Sequence, residues 1–253
     1  MHEISGKTAL ITGASIGIGA ATAIRMAELG ANVVLAARSA DKIAAIEKQI
    51  KSDGGKAIAV QCDVSSYHDV NTAVQTCISE FGGIDILVNN AGVIDPIARL
   101  TDCDPGDWGN VIDINVKGVF NALHSAIPHM EKQGSGVIVN ISSGAATSAL
   151  EGWSHYCASK AAALSLTRCT HKEMADRGIR VVGLSPGTVA TQMQVQIKSS
   201  GINPVSKLEV SDHISPEWVA EAICWLTTGD AQEFDGDDVS LRDETIRKRI
   251  GLI

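Results

Sequence analysis

Tyr156 and Lys160 lie four positions apart in SHYCASKAAALSL, Ser154 to Leu166, a run of strong helix formers rich in Ala and Leu. Residues at that spacing share one face of a helix. A phenol with its ordinary pKa of ~10 is a poor proton donor or acceptor at neutral pH, and a neighbouring ammonium lowers that value by favouring the phenolate. The spacing therefore predicts an acid/base pair. Thirteen residues before Tyr156 stands Ser143, in VIVNISSG, which reads as a buried strand running into a loop. A strand end can set a hydroxyl beside a helix face. These three residues amount to an active site only if the rest of the chain provides room for a substrate and a cofactor.

The elements that would position them follow in order. Lys7–Thr12 (KTALIT) is a strand, Gly13 to Gly19 (GASIGIG) a glycine turn, and an Ala-rich helix then runs to Leu29, with Gly30 closing it. Further strands are expected at Asn32–Ala36, Ala57–Gln61, Ile84–Val88, Val137–Ile141 and Ile179–Leu184. Helices are expected at Asp41–Ile50, Val70–Phe81, Asp107 to about Met130 (containing Asn115), the Tyr156 stretch, and Pro216 to about Thr227. The strands are near-continuous Val/Ile/Leu runs, the mark of burial on both faces. Their alternation with helices predicts an α/β fold: a doubly wound, mostly parallel, Rossmann-like sheet in one domain spanning residues 1–253. The stretch 190–215 has weak periodicity and reads as a mobile segment on the substrate side. Residues 233–253 are polar and give no clear element.

The turn ALITGASIGIGAAT is strand, glycines, helix. A helix N-terminus offers free N–H groups and partial positive charge to an anion. Gly13 permits the tight turn, Gly17 lets backbone approach a pyrophosphate, and Gly19 allows helix to pack on strand. The spacing is G-x-x-x-G-x-G rather than the usual dinucleotide fingerprint, but its place at the first strand-to-helix turn is the position that counts.

Composition narrows the classes. The 253 residues carry a net charge of −8, with no basic stripe. Nucleic-acid or anionic-membrane binding is not expected. No apolar run reaches membrane-span length, and MHEISGKTAL lacks the pattern of a secretion signal. Six cysteines occur without a C-x-x-C pair or zinc spacing, so no metal is expected, and free thiols point to a reducing, cytoplasmic setting. Gly13-Ala14-Ser15-Ile16-Gly17 also fits G-x-S-x-G, the nucleophile elbow of serine hydrolases. That rival needs a downstream acid and histidine; Asp212 and His213 are available, but adjacent residues make poor triad geometry. A non-catalytic nucleotide-binding protein is a second alternative, one that would have no use for Ser143, Tyr156 and Lys160 together.

With glycine turn and tyrosine helix combined, the chain resembles the short-chain dehydrogenase/reductase family. The likeness rests on Thr12–Gly19 (TGASIGIG), Asp63-Val64, Asn89–Gly92 (NNAG), Asn115 in INVKG, the Ser143, Tyr156 and Lys160 set, and Pro186-Gly187, in family order. The resemblance implies a nicotinamide dinucleotide at the C-terminal ends of the strands. Gly13, Ser15, Gly17, Ile18 and Gly19 would line its phosphates and ribose, and Asp63 and Val64 its adenine. Asn90 and Gly92 would form the crevice, and Pro186, Gly187, Thr188 and Thr191 would close over the nicotinamide. Tyr156 would be the general acid/base and Lys160 would lower its pKa and hold the ribose. Ser143, picked over Ser142 by its spacing to Tyr156, would bind the substrate oxygen. Asn115 would hold a water behind Lys160. The substrate, a small carbonyl or secondary alcohol, would meet Ser143, Ala145, Trp153, Tyr156 and Met193, with His155 a surface histidine. At the end of the second strand, Ala37 stands where NAD-using members carry Asp, while Arg38 and Ser39 suit a 2′-phosphate, so NADP(H) is favoured over NAD(H). Ile16 fills a place where many NADP-using members have a second basic residue. The C-terminal GDDVSLRDETIRKRIGLI departs from the family's usual ending and looks closer to carbonyl- and sepiapterin-reductase-like members. A homo-oligomer, dimer or tetramer, is expected, with a dimer through the Asn115 and Tyr156 helices the simpler form.

Overall fold

A computed structural model of the protein describes residues 2–253. The described residues form one seven-stranded sheet: β1 (Thr8–Thr12), β2 (Asn32–Ala37), β3 (Lys56–Gln61), β4 (Ile86–Asn89), β5 (Gly136–Ile141), β6 (Ile179–Ser185) and β7 (Asp238–Ser240). Their spatial order is β3-β2-β1-β4-β5-β6-β7, and every pairing is parallel. The expectation of a mostly parallel sheet thus tightens to a wholly parallel one. The chain winds outward first one way from β1 and then the other, so the order reverses between β1 and β4. A crevice opens at such a reversal, outside the strands' C-terminal ends.

Helices cover both faces. α1 (Gly17–Glu28) and α8 (Pro216–Leu226) pack on each other over one face, while α3 (Tyr67–Phe81) packs with α5 (Gly118–Gln133) over the other. The strands therefore feed two apolar cores. Ile11, Val33, Leu35, Val139 and Leu184 point into the first; Leu10, Val34, Leu87, Ile138 and Val181 point into the second. Strict alternation of side chains along each strand delivers neighbours to opposite cores, which is why these strands are apolar at nearly every position.

Three elements differ from the expectation. The long helix around Asn115 is α4 (Pro105–Ile112) and α5 joined by a π-helical turn, Asp113–Lys117. Such turns insert one residue into the helical ladder and re-aim a side chain; here they turn Asn115 inward to 1% exposure. The 190–215 stretch is not a plain loop but α7 (Gln192–Ser200) followed by two short 3₁₀ turns. It is tied down by a Val189–Ile214 bridge and by Asn203 Nδ2 donating to Glu151 O at 3.0 Å. The polar C-terminal stretch contains β7, which extends the sheet beside β6, and α9 (Glu244–Ile250). Three strand residues that include an acid give no apolar run to read.

Candidate active site

The cleft at the sheet's reversal has a volume of about 870 Å³. One end is built from β1 and its turn. Gly13 and Gly17 have φ of +65° and +57°, values that glycine alone adopts freely. A Cβ at Gly13 would lie 2.8 Å from Ala91 Cα, and one at Gly19 only 2.4 Å from Gly13 O. Asn90 locks this turn to β4: its Nδ2 donates to Thr12 O at 2.9 Å and to Gly13 O at 3.2 Å. α1 begins at Gly17 with Ile16 as N-cap and no side-chain acceptor. The first-turn N–H groups of α1 are thus left for a ligand, and Ser15, Gly17 and Ile18 line the cleft. A glycine turn held this close, with an uncapped helix start beside it, fits a dinucleotide's pyrophosphate.

Above this end, Ala37 closes β2 and is 6% exposed. Arg38, Ser39 and Lys42 line the cleft beside it. Neither cation has an ion-pair partner among the described residues. Lys42 was not anticipated; it sits in the first turn of α2 (Ala40–Ser52) and provides the second basic residue that Ile16 does not. Asp63 and Val64 also line the cleft. The Asp63 carboxylate accepts from Ser65 N and Oγ at 3.0 and 2.7 Å and does not cap a helix, since Ser66 caps α3.

The other end gathers the chemistry. Ser143 leaves β5 in extended conformation, and its Oγ accepts from Ala145 N at 3.2 Å. α6 (Ser154–Met174) brings Tyr156 and Lys160, 7% and 6% exposed, to the same wall. Lys160 Nζ donates to Ile141 O at 2.7 Å and lies 5.7 Å from the centre of the Tyr156 ring. Asn115 is bonded on both sides: Oδ1 accepts from Val93 N at 2.8 Å, and Nδ2 donates to Val93 O at 2.9 Å and Ser159 Oγ at 3.0 Å. A Cβ at Gly92 would stand 3.4 Å from Asn115 Oδ1 and 3.8 Å from Lys160 Nζ, so the two side chains flank Gly92. Pro186, Gly187, Thr188 and Thr191, on the segment after β6, complete the rim.

Burial sets the protonation of the pair in a way that spacing alone does not reveal. The Tyr156 phenol is pushed up to about 12, chiefly by burial, with the Ser143 hydroxyl pulling the other way. The Lys160 ammonium is driven down to about 8, again by burial. The lowered tyrosine value expected from the i,i+4 spacing is thus not what the protein side chains alone produce. Lys160 points its charge at the Ile141 carbonyl, and the desolvation of the phenol outweighs what reaches it.

The wall next to Tyr156 is apolar. Ile94, Ala145, Trp153, Tyr156 and Ile197 form a buried cluster, with Met193 packed against it, and the Trp153 and Tyr156 rings meet edge to face at 5.5 Å. Of the residues expected on the substrate side, Ser143, Ala145, Trp153, Tyr156 and Met193 all line the cleft. His155 does not, and it is not on the surface. It is fully buried, with Nε2 2.7 Å from Ile94 O, because the segment after β4 folds over the start of α6. The rival built on Ser15 fails on geometry: no histidine lines the cleft among the described residues, and Asp212 and His213 lie outside it.

Comparison with known proteins agrees with this arrangement. Residues 7–201 match the family described as short chain dehydrogenase. A 3-oxoacyl-[acyl-carrier-protein] reductase, FabG, of Staphylococcus aureus is 39% identical over 190 residues, 74% of this chain and 76% of that one. The FabG of Thermotoga maritima is 33% identical over 94% of this chain and 97% of its own. Among solved structures, levodione reductase superposes with a TM-score of 0.87 at 27% identity, covering 94% of this chain and 96% of that one. NAD⁺-bound xylitol dehydrogenase gives 0.88 at 27%, covering 94% and 98%. The similarity to FabG enzymes extends well past α6, and the likeness of the C-terminal stretch to carbonyl- and sepiapterin-reductase-like members finds no support in these relatives. The chain belongs to the short-chain dehydrogenase/reductase family and is a FabG-like, NAD(P)-dependent oxidoreductase acting on a carbonyl or the corresponding alcohol.

Proposed function

We propose that this protein uses NADPH to reduce the keto group of a substrate with an apolar body, a 3-oxoacyl thioester being the first to test. The observation that carries this reading is one continuous cleft with Arg38 and Lys42 at one end and Ser143, Tyr156 and Lys160 at the other. Two unpaired cations beside an uncharged Ala37 suit a 2′-phosphate and offer nothing that a bare 2′-hydroxyl requires. The apolar wall of Ile94, Ala145, Trp153, Met193 and Ile197 suits an acyl chain, in keeping with the relatives' names.

Residues of this chain divide the work. Gly13, Ser15, Gly17, Ile18 and Gly19 hold the phosphates, Asp63 and Val64 the adenine, and Asn90 and Gly92 the floor of the crevice. Pro186, Gly187, Thr188 and Thr191 close the nicotinamide end. A nicotinamide held there supplies the hydride. Ser143 Oγ donates a hydrogen bond to the substrate's carbonyl oxygen, stabilising the charge that develops on it. Tyr156 Oη gives that oxygen its proton. A phenol pushed up to about 12 stays protonated until the substrate oxygen becomes basic enough to take the proton. Lys160 would hold the ribose of a bound cofactor and supply the proton that restores Tyr156, and the free lone pair of Asn115 Oδ1 would accept from a water on the way to Lys160.

The chain works as a homo-oligomer, most simply a dimer through the α4–α5 and α6 faces. Phe120 on α5 stays 51% exposed and Tyr67 of α3 46%, the first tilted against His124 and the second meeting it edge-on, leaving an aromatic patch to cover. Light scattering of the wild type and of Phe120→Asp tests this: a wild-type monomer, or a variant that keeps the wild-type mass, refutes it. For the activity, NADPH oxidation is followed with acetoacetyl-CoA and with simple ketones. Turnover with acetoacetyl-CoA and preference for NADPH over NADH support the assignment. Turnover with NADH alone refutes the cofactor reading, and turnover restricted to polyols or short ketones refutes the substrate class.

A further inference from the structure

β7 contributes one residue that the reduction chemistry above does not use. Asp238 opens this edge strand opposite Gly183 of β6, and a carboxylate taken even partly out of water requires compensation. Gly183 makes the room: a Cβ there would stand 2.8 Å from Asp238 Oδ1. Asp238 Oδ2 accepts from Ser185 Oγ at 2.6 Å. Asp238 Oδ1 is buried and makes no hydrogen bond, and the same holds for Ser142 Oγ. Burial pushes the Asp238 carboxyl up; the Ser185 hydroxyl and the Lys160 charge pull it back. Ser185 follows Leu184, which pairs with Ile141 of β5, so the hydroxyl that holds Asp238 stands one strand over from the Ile141 carbonyl on which Lys160 is anchored.

Lys160 is the other buried charge of this region. It has no ion-pair partner among the described residues, and the one acid that acts on it is Asp238. The remaining charged groups nearby are occupied elsewhere. Asp237 takes Arg168 of α6 at 3.4 Å, Arg180 of β6 pairs with Asp235 at 2.9 Å, and His171 of α6 lies against Gly236. From α6, Tyr156 and Cys157 are the other titratable groups at this end.

We propose that Asp238, held by Ser185, is the counter-charge that keeps Lys160 an ammonium, and so is a positioning residue for the Tyr156–Lys160 pair. The proposal rests on the role given to Lys160 above. An anion in a low-dielectric interior opposes the desolvation that strips Lys160 of its proton. Removing it lets Lys160 titrate at lower pH and starves Tyr156 of its proton supply on the alkaline side.

The direct test needs no turnover. Protein labelled with ¹³C at the lysine ε-carbon is titrated by NMR, with Lys160→Met identifying the Lys160 signal. Wild type is expected to titrate near 8 and Asp238→Asn about one unit lower, with Ser185→Ala shifted the same way by less. The alkaline limb of kcat/KM is expected to move by the same amount, a loss of about twofold at pH 7 but about eightfold at pH 8.5. An unchanged Lys160 titration in folded Asp238→Asn overturns the proposal, as does an activity loss equal at every pH. If Asp238→Asn does not fold, Ser185→Ala decides by the same criterion. A shifted titration in a protein that turns over no carbonyl with either cofactor upholds the counter-charge and refutes the proposed function.

Discussion

Lys160 Nζ stands 5.7 Å from the centre of the Tyr156 ring yet directs its hydrogen bond to Ile141 O at 2.7 Å, so the pair touches the strand end rather than itself. The ammonium is thereby fixed at the mouth of β5, beside Ser143, and both side chains are deprived of water. Burial then moves their pKa values apart, the phenol from 10.0 up to about 12 and the ammonium from 10.5 down to about 8.

Tyr156→Phe tests the role of the hydroxyl. The ring keeps its edge-to-face contact with Trp153, so the fold and the cleft are preserved. A general acid contributes about 10²–10⁴ in rate, so kcat is expected to fall within that range while the dissociation constant for NADPH, read by nicotinamide fluorescence, stays within about twofold. Full turnover in the variant would remove Tyr156 from the mechanism.

Lys160 leaves a signature in stability as well. Its proton is held at about 8 in the fold against 10.5 in the unfolded chain. Between those values the unfolded chain binds more protons, so stability rises with pH across that window. The full rise is about 3 kcal/mol for a group this buried. The Tyr156 phenol, raised from 10.0 to about 12, acts with the opposite sign only above pH 10. The buried thiols of Cys62, Cys77 and Cys224, raised from 9.0 to about 12, lower stability as pH rises past 9 in both proteins, so urea unfolding from pH 8 to 10 is expected to show the wild type gaining stability relative to Lys160→Met. Parallel profiles would show that Lys160 is not held in the depressed state.

Gly19→Ala separates the glycine turn from an ordinary loop. The new Cβ would come within 2.4 Å of Gly13 O and 2.6 Å of Asn90 Nδ2, backbone and a side chain already fixed by two hydrogen bonds. Overpacking of this kind costs about 1–3 kcal/mol. A lower melting temperature together with loss of NADPH binding is expected; a variant that binds NADPH normally would show that the turn does not cradle the phosphates.

Much of this site was legible because it depends on spacing along single elements. The alternating apolar runs give the parallel sheet, and the glycines of TGASIGIG mark its first turn. Tyr156 and Lys160 share a helix face whatever surrounds them. What escaped depends on contacts between distant segments. His155 is polar and next to an exposed-looking helix start; only the segment after β4, folding over it to present Ile94 O, makes it buried. Asp238 sits in a run of acids, and only Gly183 across the sheet shows why it can lie inside. The π turn at Asn115 leaves no mark in the sequence, since DINVK contains neither the glycine nor the proline that would punctuate a helix. Lys42 is far from the glycine turn in sequence, and only the packing of α2 brings its first turn to the cleft from the other side.

Lys42 carries the last prediction. Arg38 and Lys42 line the same end of the cleft, both exposed, and with no carboxylate at Ala37 they leave a pocket of positive charge. A charge-assisted hydrogen bond to phosphate contributes about 1.5–3 kcal/mol, less at an exposed and screened site. Arg38→Ala and Lys42→Ala are each expected to weaken NADPH binding by roughly tenfold, and the double variant by roughly a hundredfold, while NADH binding changes less than about threefold. Raising the salt concentration is expected to weaken NADPH binding to the wild type and to have little effect on the double variant, because the interaction removed is the screened one. If Arg38→Ala alone abolishes the preference and Lys42→Ala leaves it intact, the phosphate is read by Arg38 and Ser39 without Lys42. If NADH binds the wild type more tightly than NADPH, both cations are surface charges and the search turns to alcohol oxidation.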